Sequence, residues 1–205
     1  MNGSIAMASD FLGWFTGHWH GSRGVDIGLC PPLVYISQFE QTLRGSTIKV
    51  GGQNIATELE GPFTGEVSSR MLKDLGCQMV LIGHSERRVN FRENNDIVAE
   101  KYRRAYAADL TPILCVGETS DHRNAGSTLD VISEQIYAVK NLVGEHALCA
   151  GVIAYEPVWS IGTGLIPNPN ELFQTINFIK KIKRNFKVLY GGSVNSKNIN
   201  ELKSI

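Results

Sequence analysis

An α/β protein built on a parallel sheet is predicted by three features of the chain. Short apolar runs, many of them β-branched, alternate with longer stretches of helical period. Most of the short runs are apolar on both faces, as strands covered on two sides must be. No linker or low-complexity segment interrupts the alternation. Such an order gives right-handed crossovers and one parallel sheet, either open and doubly wound or closed as a barrel. A chain of 205 residues is expected to form a single domain over 1–205.

The elements follow in order. Ser4 is a helix cap, and Ile5, Ala8, Phe11, Leu12, Phe15 and Trp19 recur after it at helical spacing. Trp14 and Trp19 are read as core side chains of that helix. Strands are expected over 25–30, 48–52 and 78–83. Ile97, Val98, Tyr102 and Ala105 then mark a helix after Asn95-Asp96. A strand over 112–116 precedes the stripe Val131, Ile132, Gln135, Ile136, Val139 and Leu142. A fifth strand is expected over 152–155 and a sixth over 187–190. Between them Asn168-Pro169-Asn170-Glu171 carries a cap, a first-turn proline and an acid three residues on. Leu172, Phe173, Ile176, Ile179 and Ile182 line the helix it starts. Lys180, Lys181, Lys183, Arg184 and Lys187 read as the solvated end of that helix.

Composition excludes several classes. Hydrophobic residues make 42% of the chain and charged residues 20%, which supports a buried core. Lys plus Arg numbers 20 and Asp plus Glu 20, so a polyanion such as nucleic acid is not expected as partner. No apolar run reaches the ~18 residues of a membrane span. The segment from Met1 to Phe15 lacks a basic start and carries Asp10, unlike a secretory signal. Cys30, Cys77, Cys115 and Cys149 lie far apart, with no metal-type pairing. They are expected to be reduced thiols in a cytoplasmic protein.

Chemistry in parallel α/β folds collects where strands end. His84 follows the third strand and opens a helical stretch. It reads either as a core-edge histidine with one hydrogen bond or as a neutral proton donor. Glu156 ends an apolar strand. Poor solvation there makes a carboxylate a better base, and the competing reading is an ion pair at the sheet rim. Gly162-Thr163-Gly164 and Gly191-Gly192-Ser193 are either ordinary turns or loops whose bare N–H groups approach a phosphate. Gly117-Glu118-Thr119 follows the fourth strand.

Together these loops resemble a known family. Val80-Leu81-Ile82-Gly83-His84-Ser85-Glu86-Arg87-Arg88 is similar to the histidine motif of the triosephosphate isomerases. Ala154-Tyr155-Glu156-Pro157-Val158-Trp159-Ser160-Ile161-Gly162-Thr163-Gly164 resembles their glutamate and lid. Tyr190-Gly191-Gly192-Ser193-Val194 resembles their late phosphate loop, and Gly61-Pro62-Phe63-Thr64-Gly65-Glu66 the loop that enters a partner subunit. The resemblance implies a (β/α)8 TIM barrel and the interconversion of dihydroxyacetone phosphate and glyceraldehyde 3-phosphate in glycolysis and gluconeogenesis. It implies Glu156 as base and neutral His84 as the group that polarises the carbonyl. Gly162 and Ser193 would hold the phosphate, Ser85 and Glu86 would support the site, and Phe63 and Thr64 would form a homodimer contact. No cofactor and no metal are implied.

Against the family pattern the chain starts at a methionine just past the usual Gly-Asn-Trp-Lys and ends before an eighth strand. The expected architecture is therefore that barrel without its first and eighth strands, six parallel strands remaining. Low stability and weak turnover are expected of it, with a non-catalytic phosphate-binding or assembly role as the alternative. Leu165-Ile166-Pro167 stands where the family lid usually has Lys-Thr-Ala and is expected to stiffen it.

Overall fold

The computed structural model describes residues 2–21, 24–161, 167–182 and 187–203. Contacts divide the chain into two compact units, Met1–Ile82 with Arg104–Pro112, and Gly83–Arg103 with Ile113–Ile205.

In the first unit the helices α1 (Ile5–His18), α2 (Ile36–Leu43) and α3 (Ser69–Asp74) alternate with β1 (Gly28–Leu29), β2 (Lys49–Gly52) and β3 (Met79–Ile82). All neighbouring strands run parallel, with Leu29 beside Val50 and Gly52 beside Val80. Ser4 caps α1 by accepting the Met7 N–H. Ile36, Leu43, Val50, Ile55, Leu72, Val80 and Ile82 fill the core.

Two expectations change here. The strand expected over 25–30 is ordered as a ladder only at Gly28–Leu29, and Val25 is exposed. Trp14 is not a core residue: it is 61% exposed and stacks on His18, with ring centroids 4.7 Å apart. Ala8 and Leu12 mark the buried face of α1. Trp14 lies six positions from Ala8, about 240° round the helix, so it faces away from that stripe. Trp19 returns to it and is half-buried.

The second unit holds α4 (Ser85–Asn90), α5 (Asn95–Ala107, as far as Arg103) and β4 (Thr111–Val116, from Ile113). It continues through α6 (Ser120–Asn124), α7 (Thr128–Ala150), β5 (Val152–Tyr155), α8 (Pro169–Ile182), β6 (Val188–Tyr190) and α9 (Ile199–Leu202). β5 pairs in parallel with β4 and with β6, placing Val116, Tyr155 and Tyr190 in register at their ends. That register puts the loops after all three strands side by side. Val98, Leu114, Ile132, Ile136, Val139, Ile153, Leu172 and Ile179 form the core. Asn168 accepts the Asn170 N–H at the start of α8, and Lys180 and Lys181 in its last turn are solvated. Lys183 and Arg184 lie outside the described residues. β6 is not covered on both faces as expected, since Leu189 is 49% exposed. Among the described residues no helix is long and apolar enough to cross a membrane.

Candidate active site

The segments that follow the apolar strands supply the site, and all of its described residues belong to the second unit. His84 occupies the N-cap position of α4. The first N–H groups of a helix have no partner within it. Nδ1 of His84 meets one of them, accepting from the Glu86 N–H at 3.2 Å. A ring nitrogen that accepts a backbone N–H carries no proton of its own. With Nδ1 in the accepting role, Nε2 is the ring nitrogen left to donate. That Nε2 lies 3.4 Å from Oε1 of Glu156.

Glu156 leaves the end of β5 with its N–H donating to Val116 O at 2.7 Å. The residue is only 5% exposed. Its Oε2 accepts the Ser85 N–H at 3.1 Å. Two first-turn N–H groups of α4 are thus divided, one to the carboxylate and one to the imidazole. Ser85 is buried and contributes this backbone donor, whereas the Glu86 side chain is exposed and its N–H faces His84.

The loop after β6 closes on the same place. Gly191 N–H donates to Tyr155 O at 2.7 Å. Ser193 Oγ donates to Ser160 O at 3.0 Å, and Asn198 Nδ2 donates to Ser193 O at 2.8 Å. Gly162 lies outside the described residues, as do Leu165 and Ile166. Phe63 and Thr64 lie in the first unit, in an exposed turn closed by Glu66 N–H donating to Phe63 O.

Three further groups lie around these residues, with no individual role legible in the sequence. Glu118 is fully buried and accepts from the Tyr155 hydroxyl at 3.1 Å and from Trp159 Nε1 at 2.8 Å. Burial first, then the Glu118 charge, holds the Tyr155 phenol far above its usual range. Gln135 clamps Gly117, accepting its N–H at 2.9 Å and donating to its carbonyl at 3.1 Å. Arg88 binds the Gly83 carbonyl at 2.8 Å. An acid directly after an apolar strand is the one available signal for Glu118. Gln135 is hidden within a helical stripe, and Arg88 within a charged motif.

A buried carboxylate beside an imidazole, on a parallel α/β fold, is an arrangement able to accept a proton at one atom and donate one at another. The family model for triosephosphate isomerase matches residues 1–205. A triosephosphate isomerase of Nitrosomonas europaea is 43% identical over 98% of this chain and 83% of its own length. Those of Photorhabdus laumondii and Nitrosomonas eutropha are 40% and 44% identical, over 98% and 88% of this chain and 82% and 75% of their own lengths. The chain belongs to the triosephosphate isomerase family, and its parallel strands are those of that family's α/β barrel fold.

Proposed function

We propose that the chain interconverts dihydroxyacetone phosphate and D-glyceraldehyde 3-phosphate, with Glu156 as base and His84 as proton donor. The single observation that carries the assignment of roles is the 3.4 Å approach of His84 Nε2 to Glu156 Oε1. A carbonyl oxygen and the carbon next to it are spaced to meet such a pair together.

In the forward direction Glu156 takes a proton from the carbon bearing the hydroxyl. The electrons of that C–H bond form the new C=C bond. The carbonyl oxygen gains the proton of His84 Nε2, which yields an enediol. The ring then recovers a proton from the neighbouring hydroxyl, whose oxygen becomes the new carbonyl. Glu156 returns its proton to the adjacent carbon. Each step moves a proton between substrate and side chain, so the reading calls for no cofactor. The phosphate would lie against the glycine-bearing sequences that carry Gly162 and Ser193, since residues without a side chain let backbone N–H groups come close. Ser85 supports the base through its N–H, and the Glu86 N–H supports the acid.

Phe63 and Thr64 are proposed to form a homodimer contact. A reducing, cytoplasmic setting is supported by four cysteines that are not joined in disulfides. Burial, then the nearby Cys77, pushes the Cys30 thiol up to about 12, and burial, then the Glu40 charge, raises Cys77 to about 11. Neither is a ready thiolate near neutrality.

A coupled assay of triose phosphate turnover tests the function. Glu156→Gln should lower kcat by about 10²–10⁴-fold with the thermal midpoint little changed. Full activity in that variant, or none in the parent chain, would overturn the assignment.

A further inference from the structure

We propose that Arg88 is the positioning residue of the proton donor, holding through a planar three-way fork the peptide from which His84 projects. Its kinetic consequence rests on the isomerase reading above, and its structural content does not.

His84 stands on a weak support. The helix it caps has six residues, too few to hold its own shape in water. The residue before it, Gly83, has φ +71°, a left-handed conformation that frees the chain from the strand direction. The Gly83 carbonyl and the His84 N–H belong to one planar peptide. Whatever orients that carbonyl also sets where the His84 side chain begins.

Arg88 orients it. Nε donates to Gly83 O at 2.8 Å. Nη2 donates to Cys115 O in β4 at 3.3 Å, and Nη1 to Asn95 Oδ1 at the start of α5 at 2.9 Å. Asn95 in turn donates from Nδ2 to Glu134 of α7 at 3.2 Å. One guanidinium therefore ties the histidine's peptide to a core strand and, through Asn95, to two long helices. A Cβ added at Gly83 would come within 2.8 Å of Val98 and 3.1 Å of Arg88 Nη2, so the fit around the fork is close. The neighbouring Arg87 is engaged elsewhere, pairing with Glu93 at 2.6 Å and covering the Phe91 ring.

A lysine keeps the charge but not the fork. Its ammonium is a compact point charge and cannot hold three acceptors spread in one plane. The histidine should then sample more than one orientation, and its Nδ1 should lose the Glu86 N–H for part of the time. Small misplacement of a reacting group costs up to about 10²-fold in rate.

The test compares Arg88→Lys, Arg88→Gln and Asn95→Ala in the full chain. Arg88→Lys should lower kcat at least about tenfold with KM within about twofold. Asn95→Ala, which frees one arm only, should fall between it and the parent. The ¹⁵N spectrum of the His84 ring should show one tautomer, hydrogen on Nε2, in the parent and a mixture in the Arg88 variants. A merely stabilising role would lower the melting temperature and leave both readouts unmoved. Should Arg88→Gln fail to fold, Arg88→Lys and Asn95→Ala carry the comparison. An Arg88→Lys chain with parental kcat and a single tautomer overturns the proposal. If the parent has no isomerase activity, the functional reading fails while the ring spectrum still decides the part played by Arg88.

Discussion

Glu156 is packed against glycine for a reason that is steric before it is chemical. A Cβ on Gly191 would stand 2.7 Å from Glu156 Cγ, so any side chain there must push the carboxylate aside. Gly191→Ala is therefore expected to lower kcat by about tenfold to 10²-fold while KM changes little, read by steady-state kinetics. An unchanged kcat would mean that the carboxylate has room to step away. In the sequence this residue reads as a turn or phosphate-loop glycine. Its packing against Glu156 depends on a contact between positions 35 residues apart in the chain, which no local pattern carries.

At the scale of elements, α4 and α5 are joined through one carboxylate. Glu93 Oε1 accepts from Arg87 Nε and Lys101 Nζ, each at 2.6 Å. Lys101 is 5% exposed and Glu93 likewise, so the pair is removed from water. Removing one partner of a buried ion pair typically costs about 3–5 kcal/mol because the other is left uncompensated. Glu93→Ala should destabilise the chain by roughly that amount in urea unfolding. A loss below about 1 kcal/mol would show instead that the site rearranges or admits water. Helix starts are legible in the sequence because caps are local chemistry: Ser4 accepts the Met7 N–H, and Asn168 accepts the Asn170 N–H. Strand ends are legible to within a few residues. The first strand is shorter than its apolar run because its length is set by the neighbour it pairs with.

For the whole molecule, the proposed assembly turns on an exposed apolar turn. Phe63 is 43% exposed on a loop closed by its own backbone bonds. Sedimentation velocity should give a dimer for the parent and a monomer for Phe63→Asp. A parent that stays monomeric at every concentration removes the homodimer from the proposal.

The succession of strands and helices is written in the chain itself, because alternating apolar runs and caps act over a few residues. So are the places of His84 and Glu156, since each stands directly behind an apolar strand. Folding alone decides how those two groups meet. The accepting role of His84 Nδ1 follows from one backbone N–H, the docked carboxylate from another, and the fork of Arg88 from a carbonyl on a separate strand. The last two are directional bonds between parts brought together only by tertiary packing, whereas the first is local to the cap of α4. The exposure of Trp14 is likewise hidden from the sequence, because a helix has two sides and only the fold says which is covered.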